Sequence, residues 1–245
     1  METIRLDDHA RVVFFTGAGL SAESGVPTYR GRGGVWSQYR WEEYACQRAF
    51  DADPAKVLDF HELRRARVLS CSPHEGHRHL AAWQIRHPNL HVITQNIDGL
   101  MQMAGIQVSA ELHGSLWRVR CQRHGVSEDL GGAPYLNRRC PQCDSWLRPD
   151  ITWFEDPVSG RVFDHATELA SRADLFVSVG TSGVVWPAAS IPERARRNGA
   201  RMVEINPESN EASRLYDTCI RDSAAHAIPR VFPLGPSIGA NPAAV

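Results

Sequence analysis

Short apolar segments alternate with longer amphipathic segments along most of the chain. Four apolar runs of strand length cover residues 11–17, 91–96, 174–180 and 201–206, and helical patterning occurs near residues 54–69, 77–86, 163–171 and 188–198. This alternation predicts an α/β fold built on a mainly parallel sheet. Each apolar run ends in Gly or Asn. Because ligands of such sheets bind beyond the carboxyl ends of the strands, we expect the functional residues at these ends.

Two segments depart from this alternation. Residues 31–72 are rich in helical patterning and aromatic side chains, and residues 116–149 contain clustered cysteines and several glycines. We predict that these segments form a smaller domain, inserted into a larger domain that comprises residues 1–30, 73–115 and 150–234. Residues 235–245 form a tail that we expect to fray.

The composition excludes several classes of function. The 27 basic residues are balanced by 28 acidic ones, which argues against bulk electrostatic binding of nucleic acid or anionic membranes. Lys56 is the only lysine, and it lies in no glycine-rich loop or kinase strand motif, so Schiff-base, phosphate-loop and kinase chemistry are disfavoured. No apolar run reaches the ~18 residues of a membrane span, and the start of the chain lacks a signal-peptide core. We predict a cytoplasmic protein, since six cysteines are too few for a disulfide scaffold in a chain of this length.

A glycine-rich turn follows the first predicted strand. In GAGLSAESGVP, Gly17, Gly19 and Ala22 fit the dinucleotide pattern G-x-G-x-x-[G/A], in which glycines let the backbone approach a pyrophosphate. A tight turn without a ligand explains this short pattern equally well. The acidic ribose ligand expected ~20 residues later is missing, because Glu42 and Glu43 fall in a helix-like segment. An ordinary hydride-transferring dehydrogenase is therefore disfavoured.

Four potential metal ligands occur as two pairs, Cys121-x2-His124 and Cys140-x2-Cys143. Two such pairs suit a tetrahedral zinc ion. Because all four positions are filled by protein, the zinc would be structural rather than catalytic. The alternative is that His124 is a surface residue and that the metal is weak or absent.

Polar residues follow strand-like stretches in TQNIDGL, residues 94–100, and ELHGS, residues 111–115. His113 can serve as a general base near neutral pH, because the unperturbed pKa of histidine is ~6.5. From spacing alone, a hydrogen-bonded core histidine is the better interpretation. We interpret His74, His77 and His79 as the beginning of a helix rather than as a metal site.

Taken together, the motifs resemble the sirtuin family. GAGLSAESGVPTYRG, TQNIDGL, LHGS, the paired-cysteine insert, GTSGVVWPAA and EIN occur in the family's order, over residues 11–232. The resemblance implies a Rossmann-type domain with a smaller domain made of a helical module and a zinc ribbon. It also implies NAD-dependent removal of acyl groups from lysine side chains of protein substrates, with transfer of the acyl group to ADP-ribose and release of nicotinamide. NAD would be a co-substrate, and the resemblance also implies one structural zinc.

The resemblance also assigns roles to individual residues. His113 matches the family's catalytic base, which deprotonates a ribose hydroxyl. The residues that match NAD-binding positions are Gly17, Ala18, Gly19, Ser21, Ala22, Thr28, Tyr29, Arg30, Gln95, Asn96, Ile97, Asp98, Gly180, Thr181, Ser182, Asn206 and Ala224. Tyr29 replaces the phenylalanine that is usual in the family's cofactor loop.

The acyl preference is suggested by a helical segment of the small domain. The chain resembles the bacterial and mitochondrial branch that removes succinyl and malonyl groups and carries Tyr-x2-Arg on this helix. The aligned residues are His61, which departs from the pattern, and Arg64, whose guanidinium can fork onto a carboxylate. Ala45 aligns with a small residue that leaves room for the acyl group. The plainer interpretation is that Arg64 and Arg65 only solvate a helix face.

Substrate peptides in the family add as a short strand beside the loop that here contains Trp153 and Phe154. Glu155 occupies a position where glycine is usual, and its charge would favour basic residues in the peptide.

Two other functions remain open at this point. The activated ribose can also serve mono-ADP-ribosyl transfer or NAD hydrolysis, and the chain can be a non-catalytic module that binds NAD or acyl-lysine. The sequence leaves the oligomeric state open.

Overall fold

The computed structural model describes residues 3–30 and 33–235. Residues 31 and 32, at the beginning of the predicted small domain, and residues 236–245 of the predicted tail lie outside the described residues. The strands are β1 Val12–Thr16, β2 Leu90–Thr94, β3 Ala110–Glu111, β4 Gly114–Cys121, β5 Gly125–Glu128, β6 Arg148–Ile151, β7 Leu175–Val179, β8 Arg201–Ile205 and β9 Thr218–Ile220. The α-helices are α1 Val35–Gln38, α2 Trp41–Tyr44, α3 Gln47–Ala52, α4 Pro54–Leu69, α5 Glu75–Arg86, α6 Leu100–Met103, α7 Gly160–Ser171, α8 Ile191–Arg197 and α9 Ala224–Val231.

The larger sheet has six parallel strands in the order β3-β2-β1-β7-β8-β9. This is the order of a Rossmann-type sheet, in which the strand sequence reverses at the central pair. The predicted α/β class and the four predicted strands are confirmed. The two edge strands, β3 and β9, were not predicted from the sequence. At the centre, the last residue of β1, Thr16, pairs with Thr94 of β2 on one side and with Val179 of β7 on the other.

Both faces of this sheet are covered by helices, which is why its central strands are mostly apolar. Alternate β1 residues point to opposite faces: Phe14 packs with residues of α5 and α9, and Phe15 packs with residues of α7 and α8. All five residues of β1 are buried. The sheet is therefore a rigid support for the loops at its carboxyl edge.

The second core lies in the smaller domain. Its three-stranded antiparallel sheet has the order β5-β4-β6, and α1 to α4 account for the helix-rich segment. Val57 and Leu58 of α4 belong to the same apolar cluster as Val119 and Cys121 of β4. The helical and cysteine-containing segments thus share one apolar core, as expected for a small domain built from both. The residue boundaries of this domain stay a prediction.

A buried ion pair ties α4 to the cysteine-containing segment. Arg65 is fully buried, and its guanidinium contacts the carboxylate of Asp129 at 2.7 Å. It also donates to the backbone carbonyls of Leu116, at 3.0 Å, and Gly132, at 2.6 Å.

In the described part of the chain, no helix combines the length and apolar character that a membrane crossing needs.

Candidate active site

The central crevice lies where β1 and β7 end side by side. The amide of Gly19 donates to the carbonyl of Gly180 at 2.9 Å, so the two loops touch through their backbones. A Cβ atom on Gly17 would lie 2.7 Å from the Gly180 oxygen, and one on Gly19 would lie 2.7 Å from the Gly180 Cα. Gly180 itself has φ +61°, in the left-handed region that favours glycine. Only glycines permit this close approach of the two loops.

Asn96 fixes the floor of the crevice. Its side-chain amide donates to the carbonyl of Gly17 at 3.0 Å and to the hydroxyl of Ser21 at 3.3 Å. Asp98 is also buried and accepts a hydrogen bond from the amide of Leu100 at 2.9 Å. Burial raises the pKa of Asp98. The loop after β2 therefore places one amide and one carboxyl group inside the protein, where a polar ligand can pair with them.

His113 follows β3 and is oriented by a single backbone contact. Its Nδ1 lies 3.0 Å from the carbonyl oxygen of Gln95. Because a carbonyl only accepts, Nδ1 carries the proton and Nε2 keeps its lone pair. Burial is the main cause that lowers the pKa of His113, and the charge of Arg30 acts in the same direction. The side chain is therefore a neutral imidazole with a basic nitrogen at neutral pH.

The opposite side of the crevice is formed by the loops after β7 and β8. The carbonyl of Thr181 accepts hydrogen bonds from Asn206, at 2.9 Å, and from Asn210, at 3.2 Å. Ser182 is exposed beside it, and Ala224 begins α9.

Sequence analysis missed the two residues that support this side, Asn210 and Glu204. The buried Glu204 carboxylate accepts from Ser213 at 2.8 Å and from Arg221 at 2.6 Å. An acidic residue within the apolar run of β8 was the available signal.

The loop of residues 28–30, predicted as the cofactor loop, contacts two helices of the small domain. The amides of Val35 and Trp36 donate to the carbonyls of Thr28 and Tyr29, at 2.8 and 3.1 Å. The guanidinium of Arg64 donates to the Tyr29 hydroxyl at 2.6 Å. A cavity of about 180 Å³ lies below this loop, and the site residues predicted from the sequence that line it are Ala18, Tyr29, Arg64, Asn96, Ile97 and Asp98.

The other residues predicted to bind substrate do not line this cavity. His61 is fully buried and stacks on Trp153 with ring centroids 5.8 Å apart. The indole of Trp153 donates to its Nε2 at 3.2 Å. Burial lowers the pKa of His61 well below its ordinary value. Ala45 is also buried, and its carbonyl accepts from the amide of Phe154 at 3.0 Å.

Glu155 shows why glycine is usual at this position. Its φ of +70° lies in the left-handed region, which costs a side chain conformational energy. Its carboxylate pairs with the guanidinium of Arg48 at 3.0 Å. The Glu155 carboxylate is thus already paired with an arginine of the protein. This pairing weakens the expectation that Glu155 attracts basic residues of a peptide.

The four predicted metal ligands come together at the end of the β4–β5 hairpin. The ligand atoms of Cys121, His124, Cys140 and Cys143 all lie within 4.8 Å of one another. Tetrahedral zinc with Zn–S bonds of ~2.3 Å requires S···S separations of roughly 3.8 Å and S···N separations of roughly 3.5 Å. The observed separations are 3.7 Å from Cys121 Sγ to Cys143 Sγ and 3.5 Å from Cys121 Sγ to His124 Nδ1. Three thiols and one imidazole thus fit a closed zinc site that His124 enters through Nδ1.

The sheet order and the glycine crevice together define a dinucleotide-binding type of protein with an added metal-binding domain. The Sir2 family model matches residues 17–187. The chain is 38% identical over 227 residues to the NAD-dependent protein deacylase of Aquifex aeolicus, covering 92% of this chain and 95% of that protein. It is 44% identical over 223 residues to NAD-dependent protein deacylase 2 of Pyrobaculum aerophilum, covering 89% and 88%.

Solved structures agree with this assignment. The structure of a Sir2 homologue in complex with NAD matches with a TM-score of 0.83 and 35% identity, covering 94% of each chain. The chain belongs to the Sir2 family, and the sirtuin resemblance seen in the sequence motifs is confirmed.

Proposed function

We propose that the chain is an NAD-dependent protein-lysine deacylase, which transfers the acyl group to ADP-ribose and releases nicotinamide. The observation that carries the proposal is His113, a neutral imidazole held through Nδ1 by Gln95. The amide of Gln95 in turn donates to the carbonyl of Thr16 at 2.9 Å, directly before the glycine crevice. A base is thereby tied to the loop that would bind the dinucleotide.

The residues present fit NAD. The loops after β1 and β7 meet through glycines whose Cβ atoms would collide with the opposite backbone, and the buried polar groups of Asn96 and Asp98 lie beside these loops. We assign Gly17, Gly19 and Gly180 to the pyrophosphate, and Asn96 and Asp98 to the nicotinamide ribose and carboxamide. We assign the remaining positions to the rest of NAD: Ala18, Ser21, Ala22, Thr28, Tyr29, Arg30, Gln95, Ile97, Thr181, Ser182, Asn206 and Ala224.

When bound, NAD supplies a ribose carbon that the acyl oxygen attacks as nicotinamide leaves. His113 then acts as a general base: its Nε2 takes the proton of a ribose hydroxyl, while Nδ1 stays bonded to Gln95. Cysteine and histidine side chains would fill all four coordination positions of a zinc ion at this site. Such a zinc ion would stabilise the fold and take no part in the reaction.

We further propose that Arg64 favours acidic acyl groups such as succinyl and malonyl. Arg64 is half-buried and lines the cavity beside Asn96 and Asp98. Among the described residues it has no carboxylate within salt-bridge distance, so its remaining N–H groups are available to an acidic acyl chain. His61 faces away, so we withdraw it from the acyl pocket.

The test of the activity uses NAD and one peptide that carries acetyl, succinyl, malonyl or a longer acyl group in turn. We expect nicotinamide and acyl-ADP-ribose in equal amounts, measured by mass spectrometry. With labelled NAD, label on protein or NAD loss without peptide would instead support ADP-ribosyl transfer or NAD hydrolysis. Binding of NAD and peptide without nicotinamide release would support a non-catalytic module.

The test of the acyl preference compares Arg64→Met with Arg67→Met. Arg67 lines the same cavity, but its Nε donates to the carbonyl of Gly25 at 3.1 Å. We expect Arg64→Met to lower kcat/KM for the succinyl peptide by roughly ten- to hundredfold, which corresponds to a lost charged hydrogen bond, and to affect the acetyl peptide much less. Equal losses on both peptides would remove Arg64 from acid recognition.

A further inference from the structure

The cavity holds a second polar group that faces Arg64. The phenol oxygen of Tyr29 lies 2.6 Å from Nη2 of Arg64, and the guanidinium carbon lies 5.0 Å from the centre of the Tyr29 ring. Both side chains line the same cavity of about 180 Å³. Tyr29 comes from the cofactor loop and Arg64 from α4, so the pair joins two separate walls of the cavity.

We propose that Tyr29 is a specificity-determining residue that reads the acyl carboxylate together with Arg64. The inference rests on the proposed deacylase function. In the observed contact the hydroxyl accepts one guanidinium N–H, which leaves its own proton free to donate. A carboxylate that enters the cavity can therefore accept one hydrogen bond from Arg64 and one from Tyr29, without breaking the contact between them.

His61 does not line the cavity. Its ring stacks on Trp153, and its Nε2 already accepts the indole hydrogen bond. His61 thus has no role in the cavity, although it stands where the acid-specific branch has tyrosine. Tyr29 supplies the phenol hydroxyl from the opposite wall.

This arrangement couples acyl recognition to the cofactor loop. The backbone of Tyr29 accepts from the amide of Trp36, and the backbone of Thr28 accepts from the amide of Val35. An acidic acyl group that bridges Tyr29 and Arg64 would therefore link α4 to the loop that these contacts hold against α1.

The test uses two peptides that differ only in charge: one carries succinyl-lysine, and the other carries its terminal amide, which is almost the same shape. The variant Tyr29→Phe removes one oxygen and introduces the residue that is usual in the family, so we expect it to fold. The matched control is Tyr39→Phe, because Tyr39 lines the same cavity and its hydroxyl makes no hydrogen bond to any described residue.

We expect Tyr29→Phe to lower the ratio of kcat/KM for the acid over the amide by roughly tenfold, and Tyr39→Phe to leave the ratio as in the wild type. In a double-mutant cycle, Tyr29→Phe should add little once Arg64 is methionine, because the two residues act on one carboxylate. An unchanged ratio in Tyr29→Phe, or a wild type that does not distinguish the two peptides, would overturn the inference.

Calorimetric titration of both peptides into the NAD-saturated protein gives the same ratio without turnover. Together with the turnover assay, this titration distinguishes a failure of the proposed deacylase function from a failure of the proposed role of Tyr29. A protein that releases no nicotinamide with any acyl peptide overturns the deacylase function. A protein that deacylates acetyl-lysine but binds the acid and the amide equally in the wild type and in Tyr29→Phe overturns only the role of Tyr29.

Discussion

Replacement of His113 by alanine tests the assignment of the catalytic base. The substitution removes the free Nε2 and also the Nδ1–H that contacts the Gln95 carbonyl at 3.0 Å. A positioned general base contributes about 10²- to 10⁴-fold to a rate, so we expect acyl transfer to fall by roughly that factor. Because the side chain is only half-buried and lies outside the apolar clusters, we expect the fold to persist.

The pH dependence gives a second measure of the same residue. Burial lowers the pKa of His113, the charge of Arg30 lowers it further, and the Gln95 carbonyl opposes both effects. A base is active in its neutral form, so activity should be constant near neutral pH and decline as the pH falls through this lowered pKa. We therefore expect the acidic limb of kcat/KM below pH ~6.5, the ordinary value for histidine.

The assay is kcat/KM for the acetyl peptide at saturating NAD, from about pH 5 to pH 8. His91→Gln is a suitable control, since burial also lowers the pKa of His91, which lies on β2 away from the crevice. The control should keep the wild-type profile. Undiminished turnover in His113→Ala would refute the role of the base, and an acidic limb above pH ~6.5 would refute the argument from burial.

Two further predictions concern the smaller domain. Elemental analysis should find one zinc per chain, and less than about half an equivalent would contradict the site. Removal of the zinc by a chelator should lower Tm, because metal binding contributes to the free energy of folding. Arg65→Met should lower the free energy of unfolding by about 3–5 kcal/mol in a urea titration, because it leaves the buried Asp129 carboxylate without its charged partner. Adding Asp129→Asn should recover part of that loss, and a single variant as stable as the wild type would refute the pairing.

The sequence was sufficient to predict the central strands because each is covered on both faces. All five residues are buried in β1 and in β7, and apolar residues predominate in both strands. The edge strand β3 has only two residues, Ala110 and Glu111, which is too short for any period to be recognised. The same limit applies to the three residues of β9. The position of these edge strands is determined by backbone pairing with the neighbouring strand rather than by their own hydrophobic pattern.

The site was predictable in its residues but not in its contacts. The glycines after β1 and the glycine after β7 are each ordinary turn residues in the sequence. Their meaning depends on backbones that approach within hydrogen-bond distance across the sheet, as between Gly19 and Gly180. The network of Glu204 was missed for a similar reason, since its partners Ser213 and Arg221 lie in separate loops.

The orientation of α4 explains why His61, which the alignment with the acid-specific branch assigned to the acyl pocket, is instead buried against Trp153. Residues three and four positions apart share a helix face, so His61 can face the same side as Arg64 or as Arg65. The alignment with Tyr-x2-Arg pairs His61 with Arg64. In the structure Arg65 is fully buried, because Asp129 and two backbone carbonyls of the cysteine-containing segment pair its charge. The buried face of α4 therefore runs through His61 and Arg65, and Arg64 is left to face the cavity without the histidine.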